Sequence, residues 1–345
     1  MDQSPPPVIG ESPVWLDAMD RVSAAAPLDR PVLVIGERGS GKELVAARLH
    51  FLSRRWSQPY LKLNCAALSD ELLESELFGH EAGAFTGAVK RHIGRFERAD
   101  GGTLFLDEIA TASNRVQEKL LRVIEYGEFE RVGGDRTLQA DVRIVAATNI
   151  DLPAAAAAGR FRADLLDRLA FDVITLPPLR VRTEDIGVLA DHFGRSMAHE
   201  IGVPFAGFSP DAQIALALHD WPGNVRELKN TVERSVHRAS AREEQRGKPI
   251  ARIDLDPFAS PWRPGSAPAT PAAAVTAPPP RPDPPDHRQG FVAQVMAFER
   301  ALVTGALDVE GGHQGRAAER LGLTYDQLRG LLKKHAIRVR RAASD

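Results

Sequence analysis

The sequence predicts an α/β protein: a parallel sheet with an α-helical lid, then a proline-rich linker and an all-α helix-turn-helix domain. Three observations predict it. Short apolar runs rich in β-branched residues alternate with stretches of helical spacing, the pattern turns purely helical after Leu179, and prolines crowd into residues 257–285 before helical spacing resumes.

The apolar runs are residues 32–35, 60–63, 103–106, 142–147 and 173–176. Strands separated by helices pair in parallel, because each crossover helix packs back onto a sheet face. Residues 1–178 are expected to form this sheet subdomain and residues 179–256 the lid, where stretches 185–199 and 210–218 space apolar residues three and four apart. The alanine run at 154–158 is expected to begin a helix. Residues 257–288 are the linker: the stretch 257–285 holds 11 of the chain's 25 prolines, among Ala, Ser and Thr that cannot bury a core. In the last domain, 289–345, Phe291, Val295, Phe298 and Leu302 mark one helix face, expected to be core or dimer seam.

At 345 residues the chain exceeds one ordinary core, and 43% apolar with 26% charged residues is the balance of a folded soluble protein. Its single cysteine, Cys65, excludes an intrachain disulfide and a multi-cysteine zinc site. No basic leader precedes an apolar stretch and no apolar run is long enough for a bilayer, so a cytoplasmic location is expected.

Gly36, Glu37, Arg38, Gly39, Ser40, Gly41 and Lys42 lie between the first strand and a helical stretch at 44–52, the context a P-loop requires. Backbone amides of such a turn surround phosphate, and the lysine supplies charge to its outer oxygens. Glu43 stands where a P-loop ordinarily has the Ser or Thr that binds magnesium. Farther on, an apolar strand ends in Asp107 and Glu108, as in a Walker B element. There Asp107 would hold Mg2+, directly or through water, and Glu108 would orient or deprotonate the attacking water. Asn149, after another strand, could contact the γ-phosphate.

Gly83, Ala84, Phe85, Thr86, Gly87 and Ala88 spell GAFTGA. Their glycines permit a tight excursion that presents Phe85 and Thr86 at a tip. This signature resembles that of the bacterial enhancer-binding proteins, the AAA+ activators of sigma-54 RNA polymerase. The resemblance extends to Leu63-Asn64-Cys65-Ala66-Ala67-Leu68, to the stretch from Phe161 to Leu169 and to Trp221-Pro222-Gly223-Asn224-Val225-Arg226-Glu227-Leu228. It also accounts for Glu43, since the family's P-loop reads Gly-Lys-Glu.

The resemblance implies an AAA+ ATPase that uses ATP and Mg2+, assembles into rings, typically hexamers, and remodels the closed promoter complex of sigma-54 RNA polymerase holoenzyme through its GAFTGA loops. It implies that Asn64 partners Glu108 in a switch sensing the γ-phosphate, that Arg162 and Arg168 are arginine fingers reaching a neighbour's nucleotide, and that Arg226 is a second sensor on the lid. Within the family the likeness is to the branch that activates the phage shock operon. Gly10 to Pro13 lies close before the first strand, too short a lead for a receiver module, so control is expected in trans. That branch is restrained by phage shock protein A, and the patch by which such activators contact it resembles the surroundings of Trp56.

Residues 314–321 and 325–335 read as helix, glycine turn, helix, similar to the Fis-type domain that closes most of these activators. Thr324, Tyr325, Gln327 and Arg329 are placed to reach base edges of enhancer DNA; Arg316, Lys333 and Lys334 suit phosphates. Residues 312–345 carry eight basic against three acidic residues, net +5, on a chain of net charge −2. His80, His313 and His335 form no metal-ligand pattern and are expected in loops or the groove.

Overall fold

The computed structural model describes residues 7–241, 246–260, 262–263, 291–310 and 313–337. It divides into two compact units, Met1–Pro257 and Phe258–Asp345. Most of the proline-rich stretch lies outside the described residues, as do Arg338, Arg340 and Arg341.

The first unit is built on strands β1 (Val32–Ile35), β2 (Tyr60–Asn64), β3 (Thr103–Asp107), β4 (Glu128–Glu130), β5 (Thr137–Gln139), β6 (Arg143–Thr148) and β7 (Asp172–Thr175). Five of them form one sheet in the order β2-β3-β6-β1-β7, with every neighbouring pair parallel. Side chains alternate between its two faces. Leu104, Leu106, Ile144 and Ala146 enter one apolar cluster, whereas Phe105, Val145 and Ala147 enter the other. Burial on both faces is why these strands read as continuous apolar runs.

β4 and β5 pair antiparallel in a separate hairpin that the sequence reading missed. Three-residue strands bearing only Phe129 as a fully buried side chain leave no measurable alternation. The alanine run ends a helix instead of beginning one. That helix is Leu152–Ala157, started by Asp151, whose carboxylate accepts from the Ala154 amide at 3.0 Å.

Arg143 opens β6 fully inside the protein, and its guanidinium donates to the carbonyls of Ala25, Ala26 and Leu49. It thereby closes the C-terminal ends of helices Pro13–Ala25 and Lys42–Phe51, where carbonyls lack helical partners. The chain leaves β7 through a short 3-10 turn, Leu179–Val181, into helices Glu184–Glu200, Pro210–Leu218 and Asn224–Ser240. These pack around Trp221, Leu189, Leu228 and Val232.

The second unit contains helices Phe291–Val309, Gln314–Arg320 and Tyr325–Lys334, closed around Val303, Ala306, Leu307, Ala317, Ala318, Leu328 and Leu332. Its core uses another stripe of the first helix, so of the two readings of the 291–302 face, core or dimer seam, the core one does not hold within this unit. Val295, Phe298 and Leu302 are exposed, and the Phe291 side chain lies outside the described part. Among the described residues no helix is long and apolar enough to cross a membrane.

Candidate nucleotide site and its attached surfaces

Parallel strands bring their C-terminal ends to one edge of the sheet, and the register aligns them: Asn64 lies opposite Asp107, and Ile35 opposite Thr148. The candidate site collects there, where α/β proteins place ligands. Gly36 follows β1 and anchors to β6 through its amide, which donates to the Thr148 carbonyl at 3.1 Å. Asn149 follows directly and is exposed.

Gly39 and Gly41 adopt φ values of 79° and 107°, a region that disfavours any side chain, and helix Lys42–Phe51 starts at once. The turn thus presents the free amides of a helix N-terminus. The Lys42 ammonium is buried; it donates to the Gly36 carbonyl at 2.9 Å and stands 4.0 Å from Glu108 Oε1. Burial pushes its pKa below the usual lysine range, opposed by the charges of Glu108 and Asp107. Arg226 and Arg38 add positive charge from the lid and from the loop.

Glu108 has φ 52°, a left-handed conformation that is costly for a residue with a side chain. Its amide donates to Asp107 Oδ1 at 3.0 Å. Asn64 does not bond Glu108 as expected. Its amide nitrogen reaches Asp107 Oδ2 at 3.3 Å while its oxygen accepts from the Ala66 amide, so the register across β2 and β3 has paired it with the nearer carboxylate. Glu43 turns away from the loop and pairs with Lys62 at 2.8 Å. Cys65 is buried beside this edge; burial, aided by Asp107 and Glu108, pushes its thiol up to about 12.

These residues fit a magnesium nucleotide. The loop's amides, Lys42, Arg38 and Arg226 suit phosphates, and the Ser40 hydroxyl is buried without a partner. Among the described residues no group of three or more His, Cys, Asp or Glu side chains could hold a metal alone. A magnesium ion at Asp107 would share its coordination with phosphate oxygens, as that ion commonly does.

The loop is bonded to the lid. The Glu37 carboxylate takes a bidentate pair of hydrogen bonds from Arg180 at 2.6 and 2.8 Å and a third from Asn224 at 3.1 Å. These donors hold its pKa down at about 2. Asn224 also donates to the Arg38 carbonyl. Nothing in the P-loop pattern marks Glu37 as a lid contact, because Arg180 and Asn224 are remote in sequence.

Arg162 and Arg168 lie on the surface, off the chain's own loop. Arg162 forms a bidentate pair with Asp164 at 2.7 and 3.0 Å, and Arg168 pairs with Glu125 at 2.5 Å. Trp56 is 54% exposed, next to Arg55, which is tied to Asp29 and Asp141.

The GAFTGA loop closes on itself: the Gly83 amide donates to the Ala88 carbonyl at 2.7 Å, and the Ala88 amide to the Phe85 carbonyl at 3.0 Å. Gly83 and Gly87 have positive φ with open space where a Cβ would stand, so conformation alone demands glycine. Phe85 is 41% exposed, with one edge against His80 at 4.9 Å; Thr86 is exposed, whereas Ala84 is half-buried and Ala88 buried. His80 is itself held by Ser75. Val89, 82% exposed, extends the tip and was not anticipated.

In the second unit Thr324 caps the last helix in a capping box with Gln327, so both side chains serve the helix start. Tyr325 is half exposed and its hydroxyl donates to Gln314; Arg329 and Lys333 are exposed. Arg316 pairs with Glu310, and Lys334 with Glu299. His335, in the turn that follows the last helix, is buried against Glu299, and His313 caps helix Gln314–Arg320.

Comparison with known proteins accords with this layout. Residues 8–175 match the sigma-54 interaction domain, residues 180–247 the AAA+ ATPase lid domain, and residues 295–335 the bacterial regulatory protein, Fis family. The chain is 56% identical over 331 residues to the Psp operon transcriptional activator of Escherichia coli (strain K12), covering 96% of this chain and 98% of that one. It is 43% identical to the transcriptional regulatory protein ZraR of Salmonella typhimurium, covering 95% of this chain and 68% of that protein. Among solved structures it resembles NtrX from Brucella abortus in complex with ATP, with a TM-score of 0.67 at 31% identity over 96% of this chain and 70% of that one.

Proposed function

The chain belongs to the sigma-54-dependent transcription activators, AAA+ ATPases with a Fis-type helix-turn-helix, and from that membership we propose how its own residues divide the work. The P-loop from Gly36 to Glu43 binds ATP with magnesium at Asp107, while Glu108 activates water. Asn64 tunes that pair through Asp107, Asn149 faces the γ-phosphate, and Arg226 joins from the lid. Arg162 and Arg168 complete the site of the next subunit in a ring. The sheet subdomain, lid, linker and DNA-binding domain act as separate parts with the boundaries read from the sequence.

Hydrolysis drives the loop from Gly83 to Ala88 against sigma-54 in the closed promoter complex. The observation that carries this reading is the loop's construction. It is internally closed, its glycines face open space, and it offers part of Phe85 to solvent while that ring also packs against His80. An aromatic side chain left half exposed on a self-supporting tip suits a protein partner.

The Fis-type unit binds enhancer DNA through Arg329 and Lys333, with Tyr325 beside them, and Arg316 and Lys334 join by exchanging their carboxylate partners for phosphate. Its exposed Val295, Phe298 and Leu302 form a dimer seam that matches a palindromic site. By likeness to the Escherichia coli relative, the regulated operon is the phage shock operon, and the restraint is phage shock protein A docking at Trp56. The protein acts in the cytoplasm.

Footprinting on genomic DNA, with and without ATP, combined with sigma-54 polymerase, tests the whole reading. Protection upstream of a phage-shock-type operon and ATP-dependent promoter melting are expected. Melting without ATP, or protection only at unrelated operons, refutes it.

A further inference from the structure

We propose that Glu37 is a positioning residue whose side chain pins the P-loop to the lid through Arg180 and Asn224, making loop geometry and lid closure one equilibrium. The inference rests on the reading that this loop binds ATP and adds how the affinity is set.

The geometry has three parts. Glu37 receives both arms of the Arg180 guanidinium, the bidentate arrangement that fixes orientation as well as distance. Arg180 sits in the 3-10 turn Leu179–Val181, where the chain passes from β7 into the lid, so it occupies the connection about which the lid must move.

Asn224 supplies the second part. It is fully buried, has φ 53°, and begins helix Asn224–Ser240. Its oxygen accepts from the Leu179 amide at 2.7 Å, while its nitrogen donates to Glu37 Oε2 and to the Arg38 carbonyl, each at 3.1 Å. One side chain therefore joins the hinge, the phosphate loop and the lid helix that carries Arg226. A non-glycine residue held left-handed and buried persists only where its surroundings demand it.

Close packing is the third part. A Cβ on Gly39 would lie 2.3 Å from the Gly223 carbonyl oxygen and 3.0 Å from the Arg226 Cβ. Loop and lid meet with no room between them, and Arg182 continues the seam by donating to the Ser40 carbonyl at 3.4 Å. A lid that swings away must break the Glu37 contacts, and a loop that reshapes around phosphate must carry Arg180 and Asn224 with it.

The consequence is a defined kinetic signature. If the nucleotide-competent state is the pinned one, breaking the pin lowers its population and weakens apparent affinity by that fraction. Chemistry at Glu108, once ATP saturates the site, is left as it was. Arg180 is about half exposed, so its replacement should fold.

The test measures steady-state ATP hydrolysis and equilibrium binding of a fluorescent ATP analogue for full-length wild type, Arg180→Gln, Glu37→Gln, the double variant and Arg180→Lys. Light scattering sets the concentration so that assembly is equal. Arg180→Gln is expected to raise KM and the analogue's Kd about tenfold with kcat within about twofold, and Glu37→Gln to raise both at least as much. The double variant should be no worse than Glu37→Gln alone, because Arg180 acts through that carboxylate. Lysine, which keeps the charge but not the fork, should restore part of the affinity. Unchanged KM and Kd in the single variants, additive losses in the double variant, or a fall in kcat at unchanged KM overturns the pin. Wild type that fails to bind the analogue would instead refute the underlying nucleotide reading.

Discussion

Lys42 Nζ stands 4.0 Å from Glu108 Oε1, which joins the phosphate-binding turn to the strand end that carries the proposed catalytic carboxylate. Both side chains are largely withdrawn from solvent, where charge is felt strongly. Replacing Glu108 with Gln keeps its shape and removes the base. Nucleotide affinity should stay within about threefold of wild type while kcat falls by about 10² or more. Phosphate release at saturating ATP, set beside analogue binding, checks it; normal turnover removes Glu108 from the chemistry.

Thr86 belongs to a loop closed by its own hydrogen bonds, none of them to the phosphate turn. Thr86→Ala should therefore leave ATP turnover within about twofold of wild type and abolish promoter melting. Permanganate footprinting of the promoter alongside a phosphate assay separates the two activities. Parallel loss of both would deny the loop its separate role.

Arg162 and Arg168 are each bound to a carboxylate of their own chain, Asp164 and Glu125. To serve a neighbour they must exchange these partners for phosphate. Arg168→Ala should cost about 10³ in turnover, the scale of an arginine finger. Mixing it with the equally inactive Lys42→Ala should recover activity, because the first keeps its loop and the second its fingers. No recovery in mixed rings would place Arg168 in its own subunit's site.

Cys65 is buried, and its thiol is pushed up to about 12 from an ordinary value of 9.0. Only the thiolate reacts, so a three-unit rise cuts its population about a thousandfold at pH 8. Alkylation of native protein should be slower than in urea by at least that factor. The sign also bears on folding. Raising the pH through the unfolded thiol's pKa favours the unfolded chain, so this group destabilises the fold progressively above pH 9. Rapid native alkylation would show that the β2 end opens.

Each core strand and the P-loop were legible because their signals are local. A run such as Leu104, Phe105, Leu106 is apolar on both faces whatever surrounds it, and Gly39 and Gly41 announce their backbone conformation by identity. The hairpin of β4 and β5 was not legible, since its strands are too short for a period. The stripe of the first Fis-type helix left two readings open, core or dimer seam, because periodicity finds an apolar face without saying which neighbour covers it. Val303 and Leu307 met the other two helices, and Phe298 and Leu302 did not.

By itself the sequence determined the kind of chemistry: a phosphate turn, a strand ending in Asp107 and Glu108, a glycine-bounded loop with Phe85, and a basic helical end. Those features depend on residue identity over a few positions. Tertiary structure alone decided the pairings. Asn64 joins Asp107 instead of Glu108, Glu43 joins Lys62, and Glu37 joins Arg180 and Asn224. A hydrogen bond is decided within a few tenths of an ångström, and that precision comes from strand register and lid packing, which no stretch of local sequence contains.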